Sequence, residues 1–569
     1  MIKSSIINIG LFVFILFSAI HCSEPQELTE TKKLEILGKS WGLIKYYHPE
    51  VGLGKVNWDS VLLDHISLIK STKSAEEFNQ QLNVLMKVPN STSLLEKSTG
   101  CDSTNIEKLV DLEWIESSDL STENVTLLKS VLNREGTYRN IYVSDSVGNR
   151  SLSYARFYED PMTESDLSKE EVRLLGLFRY WNVIEYYFPY KNLTDKDWSN
   201  VLSEYIPQFI SAKNEEEYYE CLLRLSTEIN DGHANIPYHP ELRSAFFGKF
   251  TVPFRVKMVE NKLVINSLKS DSLSLIAGVE VGDIVEKING APFEEKVKTL
   301  GNYLPKPNEA FHNGEISRYI LNGNTDSLKL SVRRDSEAIE LNISRYSFSD
   351  IRKFRDKKST QSWKIIDENI GYAHMGELNI ETLPEFFAGI KNTKGLVLDF
   401  RHYPQWQVLY DFLGYLYTDV KPFVLLKSQC LNEPGTYYWH ASEKDVSDIE
   451  LKEYRYDAPI MLLVDENTLS FGEFFVMALQ VLENVYTVGS QTAGEDGNQV
   501  SIDMPGGMKM FMSSLGIYYP NGDDSQRSGV KIDKIVNQKI DDVKAGTDPV
   551  LNYALMKLNH TANNNDNGK

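Results

Sequence analysis

The sequence has few cysteines, no excess of positive charge and only one long apolar run. Four cysteines occur in 569 residues, and no pair has the spacing of metal ligands or of a disulfide framework. We therefore expect Cys101, Cys221 and Cys430 to be buried free thiols. The 60 lysines and arginines face 80 aspartates and glutamates, giving a net charge of -20. This balance argues against nucleic acid as a partner, because phosphate binding needs clustered basic residues.

The one long apolar run lies at the N-terminus. It follows Lys3, extends from Ile6 to Ile20 and gives way to polar residues from Ser23 onward. The run is shorter than the roughly 20 apolar residues of a comfortable membrane span, and it predicts a signal peptide over residues 1–22. An uncleaved N-terminal anchor is the alternative. Cys22 occupies the position of the acylated cysteine in bacterial lipoproteins, which predicts a protein of the periplasm or cell envelope, lipid-anchored to the membrane.

The remaining length is enough for three or four domains, and its first part contains a repeat. At an offset of 140 residues, Trp41 corresponds to Trp181, Trp58 to Trp198, and the pair Tyr46-Tyr47 to the pair Tyr186-Tyr187. The apolar and aromatic residues within each copy recur at helical spacing. We interpret residues 27–150 and 165–245 as two copies of one helical unit, with the aromatic stripe as core.

The two copies differ at their ends. The second runs into Asp231-Gly232-His233, whereas the matching part of the first, near Pro89, has no histidine. Asp-Gly is a tight-turn dipeptide, so His233 is predicted to follow a turn. A single histidine is more often structural than catalytic, and the residues alone leave its role open.

Short strands follow, over residues 248–346. The run from Ala277 through Gly278, Val279 and Gly282 to Asn289-Gly290 resembles the PDZ domains of exported proteases. Asn-Gly predicts a hairpin turn. The resemblance implies capture of extended peptide ends by strand addition. A purely structural β module is the alternative.

Residues 362–558 alternate strands with helices, which predicts an α/β domain, and residues 559–569 are expected to form a disordered tail. Ser470 lies between a buried strand at 459–465 and an apolar helix through Gln480. A strand, a turn bearing serine and a helix are a recurrent way to expose a nucleophile at the positive end of the helix dipole. The alternative is that Ser470 only caps the helix. The fold class as a whole is multidomain α+β.

Several segments of this last domain resemble the C-terminal processing (tail-specific) peptidase family, in its tricorn-like branch and in the exported type found in Bacteroidetes. They are Val464 through Ser470 to Glu473, Asp399-Phe400-Arg401, and Gly489 to Thr492. The resemblance implies a ClpP/crotonase-like catalytic domain with Ser470 as nucleophile.

Departures from the family pattern decide the mechanism that the resemblance implies. Glu495 occupies the position of the lysine of bacterial Ser–Lys dyads, so no such dyad is expected. The tricorn-like branch uses the histidine of an Asp-Gly-His motif, which assigns His233 as general base. The third triad position is Gln526, with Glu473, Asp523 and Asp524 as alternatives.

The loop after Asp399 lacks the Gly-Gly pair of the family. Gln405 occupies the position of the donor glycine, and its backbone N–H is expected to form the oxyanion hole together with the Phe471 N–H. Tyr403, Pro404 and Trp406 make this loop bulkier. A narrowed cleft and a loss of activity are both consistent with that.

The sequence thus predicts a serine-type endopeptidase that hydrolyses exported polypeptides and needs no metal or cofactor. Two alternatives from other classes stay open. One is a catalytically inactive peptide-binding protein on the same fold. The other is a carrier of small apolar ligands, which would require a closed apolar pocket.

Overall fold

The computed structural model describes residues 28–89, 105–117, 119–133, 139–145, 154–235, 237–354, 361–367, 369–442 and 446–566. Cys22, the predicted signal peptide and Cys101 lie outside these ranges. Within them the chain is a mixture of helical and sheet-containing parts. No helix among them combines the length and the apolar character needed to cross a bilayer.

The N-terminal part is mainly helical. Its first stretch contains helices Glu30–Tyr47, Pro49–Gly52, Trp58–Ser71, Ala75–Met86, Trp114–Ser117 and Thr122–Leu132, and strands Ile106–Lys108, Val143–Asp145 and Ala155–Phe157. Its second stretch contains helices Glu170–Tyr187, Trp198–Ser211, Glu215–Thr227 and Pro240–Phe247, with 3₁₀ turns Lys191–Leu193 and Gly232–Ala234.

The two stretches repeat one tryptophan arrangement. The Trp41 indole donates to the Trp58 carbonyl at 3.0 Å, and the Trp58 indole donates back to the Trp41 carbonyl at 2.9 Å. Trp181 and Trp198 exchange the same two bonds, at 2.9 and 3.0 Å. Each pair fixes the first helix of its stretch against the helix that begins at the second tryptophan, and it satisfies two buried donors.

The first helices of the two stretches also pack against each other. A Cβ on Gly42 would lie 1.8 Å from Asn182 Oδ1, and one on Gly38 would lie 2.8 Å from the Phe178 ring. Asn182 Nδ2 donates to the Gly38 carbonyl at 3.0 Å. The two glycines therefore give one helix a flat face, into which side chains of the other helix insert.

Four buried charged side chains join these helices to the following segment. Lys45 Nζ lies 2.7 Å from Glu159 Oε2 and 3.3 Å from Asp59 Oδ1. Arg179 contacts the same two carboxylates, at 3.2 Å and 2.7 Å. Because two cations face two anions, each charge is compensated in a place that water does not reach.

The middle part of the chain is a β module. Its main sheet places strands in the order Glu337–Ser344, Ser327–Arg334, Ile284–Ile288, Lys262–Leu268 and Phe254–Val259, with Ala291–Pro292 pairing beside Ile284–Ile288. Short strands Phe250–Thr251 and Tyr346–Ser347 pair separately, and the helices are Asp271–Ile276, Phe293–Gly301, Glu309–Tyr319 and Phe348–Phe354. The hairpin predicted at Asn289-Gly290 is confirmed, since both residues have positive φ and join two paired strands.

The C-terminal part is an α/β layer. Its six-stranded sheet runs in the order Trp363–Ile366, Ile370–His374, Gly395–Asp399, Ile460–Val464, Val485–Gly489 and Lys534–Ile535. The first pair is antiparallel and the others are parallel, as the alternation of strands and helices predicts. Helices Leu383–Ile390, Leu409–Gly414, Phe471–Leu479, Ile540–Ala545 and Pro549–Asp566, with a 3₁₀ turn at Trp406–Val408, accompany it.

Two smaller sheets connect this layer to the helical part. One has the strand order Ile106–Lys108, Thr436–Ala441, Leu425–Gln429 and Gly516–Tyr518, and the other is the hairpin of Gln499–Met504 with Met508–Ser513. Buried side chains of the helical stretches, the β module and this hairpin form one continuous core. The hairpin therefore fills the space between these parts of the chain.

Two further expectations are corrected. Cys221 is buried and free as expected, but Cys430 is disulfide-bonded, with a partner outside the described residues. Spacing along the chain could not show this, since pairing depends on proximity in the fold. Residues 559–566, expected to be disordered, continue the helix that begins at Pro549. The packing of Val550, Ala554 and Leu558 against the sheet stabilises the first turns of that helix. Extending an existing helix costs little, so it continues into the polar residues that follow.

Candidate active site

Ser470 lies between the parallel strand Ile460–Val464 and the helix Phe471–Leu479. Its backbone has φ 49° and ψ -122°, and its side chain makes no capping bond to the helix. The capping interpretation is therefore wrong. Such a conformation costs a non-glycine residue about 1–3 kcal/mol and occurs where surrounding contacts impose it. Here the Ser470 N–H donates to the Glu495 carbonyl at 3.0 Å, and Thr468 anchors the preceding turn to the Phe400 carbonyl.

His233 reaches this serine from the end of the second helical stretch. It sits in the 3₁₀ turn Gly232–Ala234, and only 8% of its surface is exposed. Its Nε2 lies 3.0 Å from Ser470 Oγ, across 237 positions of sequence. The two residues that the sequence singled out are thus within hydrogen-bond distance in the fold.

The other ring nitrogen of His233 contacts a residue that the sequence did not indicate. Nδ1 lies 2.9 Å from Ser513 Oγ, and that hydroxyl donates to Asp231 Oδ1 at 2.9 Å. A serine hydroxyl has a single proton, so Ser513 must accept the bond from Nδ1–H. Nε2 is then unprotonated and accepts from the Ser470 hydroxyl, which is the tautomer of a general base.

Asp231 is held firmly for this contact. It is fully buried, and its two oxygens also accept from the Ser513 N–H at 2.6 Å and the His233 N–H at 3.1 Å. Burial lowers the pKa of His233 below its ordinary value of 6.5, while the nearby Asp231 charge opposes that shift. The imidazole is therefore neutral at neutral pH and free to take a proton.

The residues expected at the third triad position lie elsewhere. Gln526 Nε2 donates to Asp231 Oδ1 at 3.2 Å, so it supports Asp231 and does not touch the ring. Asp523 and Asp524 are exposed, and Asp523 pairs with Lys531 at 2.8 Å. These expectations are wrong, because the partner of His233 Nδ1 is Ser513.

Glu473 also has a different place. Its carboxylate accepts from Thr492 Oγ1 at 2.5 Å and from the N–H groups of Gly494 and Glu495 at 2.9 and 3.0 Å. Burial raises its pKa to about 7, against these hydrogen bonds. Glu473 therefore ties the nucleophile helix to the loop beside it, and His233 has other partners.

Of the two residues expected to supply oxyanion donors, Phe471 lines the cavity at Ser470, and the role of the Gln405 N–H stays a prediction. The Phe471 N–H lies at the start of the helix, as expected. Gln405 is exposed and is not among the residues that line the cavity at Ser470, whereas Tyr403 of the same loop is. Partial burial raises the pKa of Tyr403, and its proximity to the Ser470 side chain and the Phe471 backbone opposes that shift. The Tyr403 hydroxyl thus occupies the neighbourhood of both groups.

The cavity in front of Ser470 has a volume of about 580 Å³. Its wall combines apolar and aromatic side chains with charged ones. The charged residues that line it, besides His233, are Glu315, Arg318, Glu495 and Asp496. The cavity is therefore not the closed apolar pocket that a carrier of small apolar ligands would require.

The Asp399-Phe400-Arg401 segment lies to one side of this site. Arg401 bonds Asp399 and both carboxylate oxygens of Asp548, at 2.7 to 3.0 Å, and Tyr372 donates to Asp399 at 2.8 Å. Burial acts to raise the pKa of Asp399, and its bonds to Arg401 outweigh that and lower it. These contacts join the strand end to the C-terminal helix.

Comparison with known proteins finds a peptidase family over the part of the chain that contains Ser470. Residues 369–536 match the family model described as Peptidase family S41. A carboxy-terminal-processing protease of Bartonella bacilliformis is 22% identical over 369 residues, which are 62% of this chain and 76% of that protein.

Two solved structures share the fold. Mature CPAF is 13% identical, with a TM-score of 0.53, and the match covers 70% of this chain and 98% of that one. Mature CPAF complexed with lactacystin is 14% identical, with a TM-score of 0.50 and coverage of 68% and 97%. Residues 369–536 therefore carry a serine peptidase domain similar to family S41.

Proposed function

We propose that the protein hydrolyses exported polypeptides with Ser470 as nucleophile and His233 as general base. The single observation that carries this proposal is the 3.0 Å contact between His233 Nε2 and Ser470 Oγ. A serine activated by a neutral imidazole is a recurrent device for acyl transfer, recognised by geometry and not by sequence position.

The reaction would run through an acyl-enzyme. Ser470 Oγ attacks the scissile carbonyl carbon while its proton moves to His233 Nε2. The oxygen of the tetrahedral intermediate takes up negative charge next to the Phe471 N–H at the positive end of the helix. The C–N bond then breaks, and His233 returns the proton to the leaving amine. Water, deprotonated by the same imidazole, releases the acyl group.

Ser513 and Asp231 would act as positioning residues. The imidazolium formed during the reaction carries its charge at Nδ1 as well as at Nε2. The Ser513 hydroxyl connects that charge to the buried Asp231 carboxylate through two bonds of 2.9 Å. A hydroxyl between ring and carboxylate keeps the ring orientation and passes on part of the electrostatic stabilisation.

The β module would deliver the substrate as a PDZ-like domain. Strand Phe254–Val259 ends the main sheet and offers an edge for strand addition. Helix Glu309–Tyr319 packs against that strand and also supplies Phe311, Glu315 and Arg318 to the cavity. A peptide held at the edge strand would therefore lie close to Ser470.

The helical part would be a duplication that supplies the base. The two reciprocal tryptophan pairs support a common origin of the two stretches, and only the second ends in Asp231-Gly232-His233. An exported, lipid-anchored location is supported by the apolar run before Cys22 and by the disulfide at Cys430, since disulfides persist in oxidising compartments.

Hydrolysis of an unfolded polypeptide tests the proposal. Fluorescein-labelled casein should be degraded by the wild-type chain, while Ser470→Ala and His233→Ala should reduce the rate by about 10³- to 10⁶-fold. His239→Ala is the matched control, because this histidine lies in the same segment and caps helix Pro240–Phe247. Equal loss in all three variants, or full activity in His233→Ala, would contradict the assignment. Wild-type protein that binds casein without cutting it would indicate the inactive peptide-binding alternative.

A further inference from the structure

Two acidic side chains in the cavity have carboxyl oxygens that meet no hydrogen-bond donor. Glu495 Oε2 and Asp496 Oδ2 are buried and have no partner among the described residues. Each residue is only 4% exposed, and both line the cavity in front of Ser470. Buried polar atoms are nearly always hydrogen-bonded in folded proteins, so two such oxygens in one cavity call for a ligand.

These oxygens lie next to the reacting serine. The Ser470 N–H donates to the Glu495 carbonyl at 3.0 Å, which runs the Glu495-Asp496 backbone alongside the candidate nucleophile. On its other side, the Glu495 carboxyl packs on Gly232, where a Cβ would come within 1.7 Å of Oε2. A substrate whose carbonyl reaches Ser470 Oγ therefore brings its neighbouring side chain to this part of the cavity.

The cavity does not neutralise these groups by itself. Arg318 is the one lysine or arginine among its described lining residues. Its guanidinium pairs with Glu315 at 3.1 Å, and its side chain is 61% exposed. Burial raises the pKa values of Glu495 and Asp496 well above their ordinary values, and neighbouring carboxylates raise them further. Both effects would be relieved by a cation that enters the cavity.

We infer that the cavity binds a positively charged group of the substrate, the side chain of a lysine or arginine that adjoins the scissile bond. This inference rests on the peptidase activity proposed above and adds its substrate class. The Glu495 and Asp496 carboxylates accept from the ammonium or guanidinium group, which supplies the donors that the two oxygens lack. The apolar wall of Phe311, Leu469 and Phe474 contacts the aliphatic stem.

Matched fluorogenic peptides test the inference. A set of otherwise identical peptides, acetylated at the N-terminus, carries lysine, arginine, methionine or glutamate at each position beside the scissile bond. We expect kcat/KM for the lysine or arginine peptide to exceed that of the methionine peptide by about 10- to 100-fold, the worth of a charge-assisted contact. Equal rates, or a preference for methionine, would overturn the inference.

Acetylation of the peptides distinguishes a basic side chain from a free N-terminal amine as the source of the bound positive charge. A preference for basic side chains that persists in acetylated peptides indicates the side chain. A requirement for the free N-terminal amine would assign the two carboxylates to the chain end of the substrate and would overturn the side-chain inference.

A second experiment removes the two carboxylates from the protein and uses the same set of peptides. Glu495→Gln with Asp496→Asn should lower the ratio of kcat/KM for the basic peptides to kcat/KM for the methionine peptide about 10-fold or more. Asp503→Asn is the matched control, because Asp503 pairs with Lys509 on the hairpin and is not among the lining residues of the cavity. An unchanged preference in the double variant would contradict the role of these carboxylates.

Labelling by an uncharged fluorophosphonate separates a failure of this inference from a failure of the proposed peptidase activity. Labelling of Ser470 together with no preference for basic peptides would overturn this inference alone. Absence of labelling would overturn the peptidase proposal, and this inference would fall with it.

Discussion

Replacement of Ser513 by alanine isolates the connection between His233 and Asp231. The hydroxyl of Ser513 lies 2.9 Å from His233 Nδ1 and donates to Asp231 Oδ1 at 2.9 Å. Its backbone N–H donates separately to Asp231 Oδ2 at 2.6 Å. The substitution therefore removes the bridging group and leaves the strand and the aspartate in place.

The size of the expected effect follows from the bond that is lost. A hydrogen bond within a charged system is worth about 1.5–3 kcal/mol, and the bridge reaches that value only when the imidazolium forms. The rate of Ser470 acylation should then fall by about 10- to 150-fold. Loss of the base itself, in His233→Ala, should cost about 10³-fold or more.

The rate constant for labelling by a fluorophosphonate measures acylation directly. Ser514→Ala is the matched control, since Ser514 is the next residue and equally buried but donates to the Ala155 carbonyl at 2.8 Å. Ser513→Thr keeps the hydroxyl and should restore much of the rate. If Ser513→Ala is labelled as fast as wild type, or if labelling of Ser514→Ala is slowed equally, the bridging hydroxyl of Ser513 does not assist acylation.

Three other predictions concern pH, the cleft and the stability of the helical part. Because burial lowers the pKa of His233, acylation should fall only as pH drops through a midpoint below 6.5; a midpoint above that value in the pH–rate profile would contradict this. Tyr403→Phe removes a hydroxyl that lies near the Ser470 side chain and the Phe471 backbone, so labelling should become faster because space opens in front of Ser470; slower labelling would instead make the phenol a donor to the oxyanion. Lys45→Met leaves Glu159 with one cation in place of two and should lower the free energy of unfolding, measured in urea, by about 3–5 kcal/mol; an unchanged value would show that the pair is dispensable.

Local signals in the sequence predicted much of the fold. The strand at 459–465 and the helix after Ser470 follow from an apolar run and helical spacing. Asn289-Gly290 predicted its hairpin, because these residues favour the positive φ that such a turn requires. The core that the helical stretches, the β module and the hairpin share could not be predicted from the sequence. It depends on where the hairpin of residues 499–513 packs, and no local pattern determines that.

The candidate site divides in the same way. Ser470 and His233 could be named because each belongs to a short motif. Ser513 could not, since it ends an ordinary strand and becomes part of the site only when that strand passes Asp231. The turn that contains Asp231 could be predicted, but the role of its carboxylate depends on the same long-range contact with Ser513.

Gln526 and Glu473 show the limit of assigning roles by position in a motif. Each is close to its expected place along the chain, yet each side chain contacts a partner other than the His233 ring. Tyr403 was noted in the sequence only for its bulk. Its approach to Ser470 depends on the path of a loop that no local pattern determines.

Peptide mapping after reaction with a fluorophosphonate tests the assignment of Ser470 as nucleophile and His233 as base. We expect a single stoichiometric adduct on the peptide that carries Ser470 in the wild-type chain, and slow or absent labelling in His233→Ala. An adduct on another serine, or equal labelling in the wild type and in His233→Ala, would contradict it.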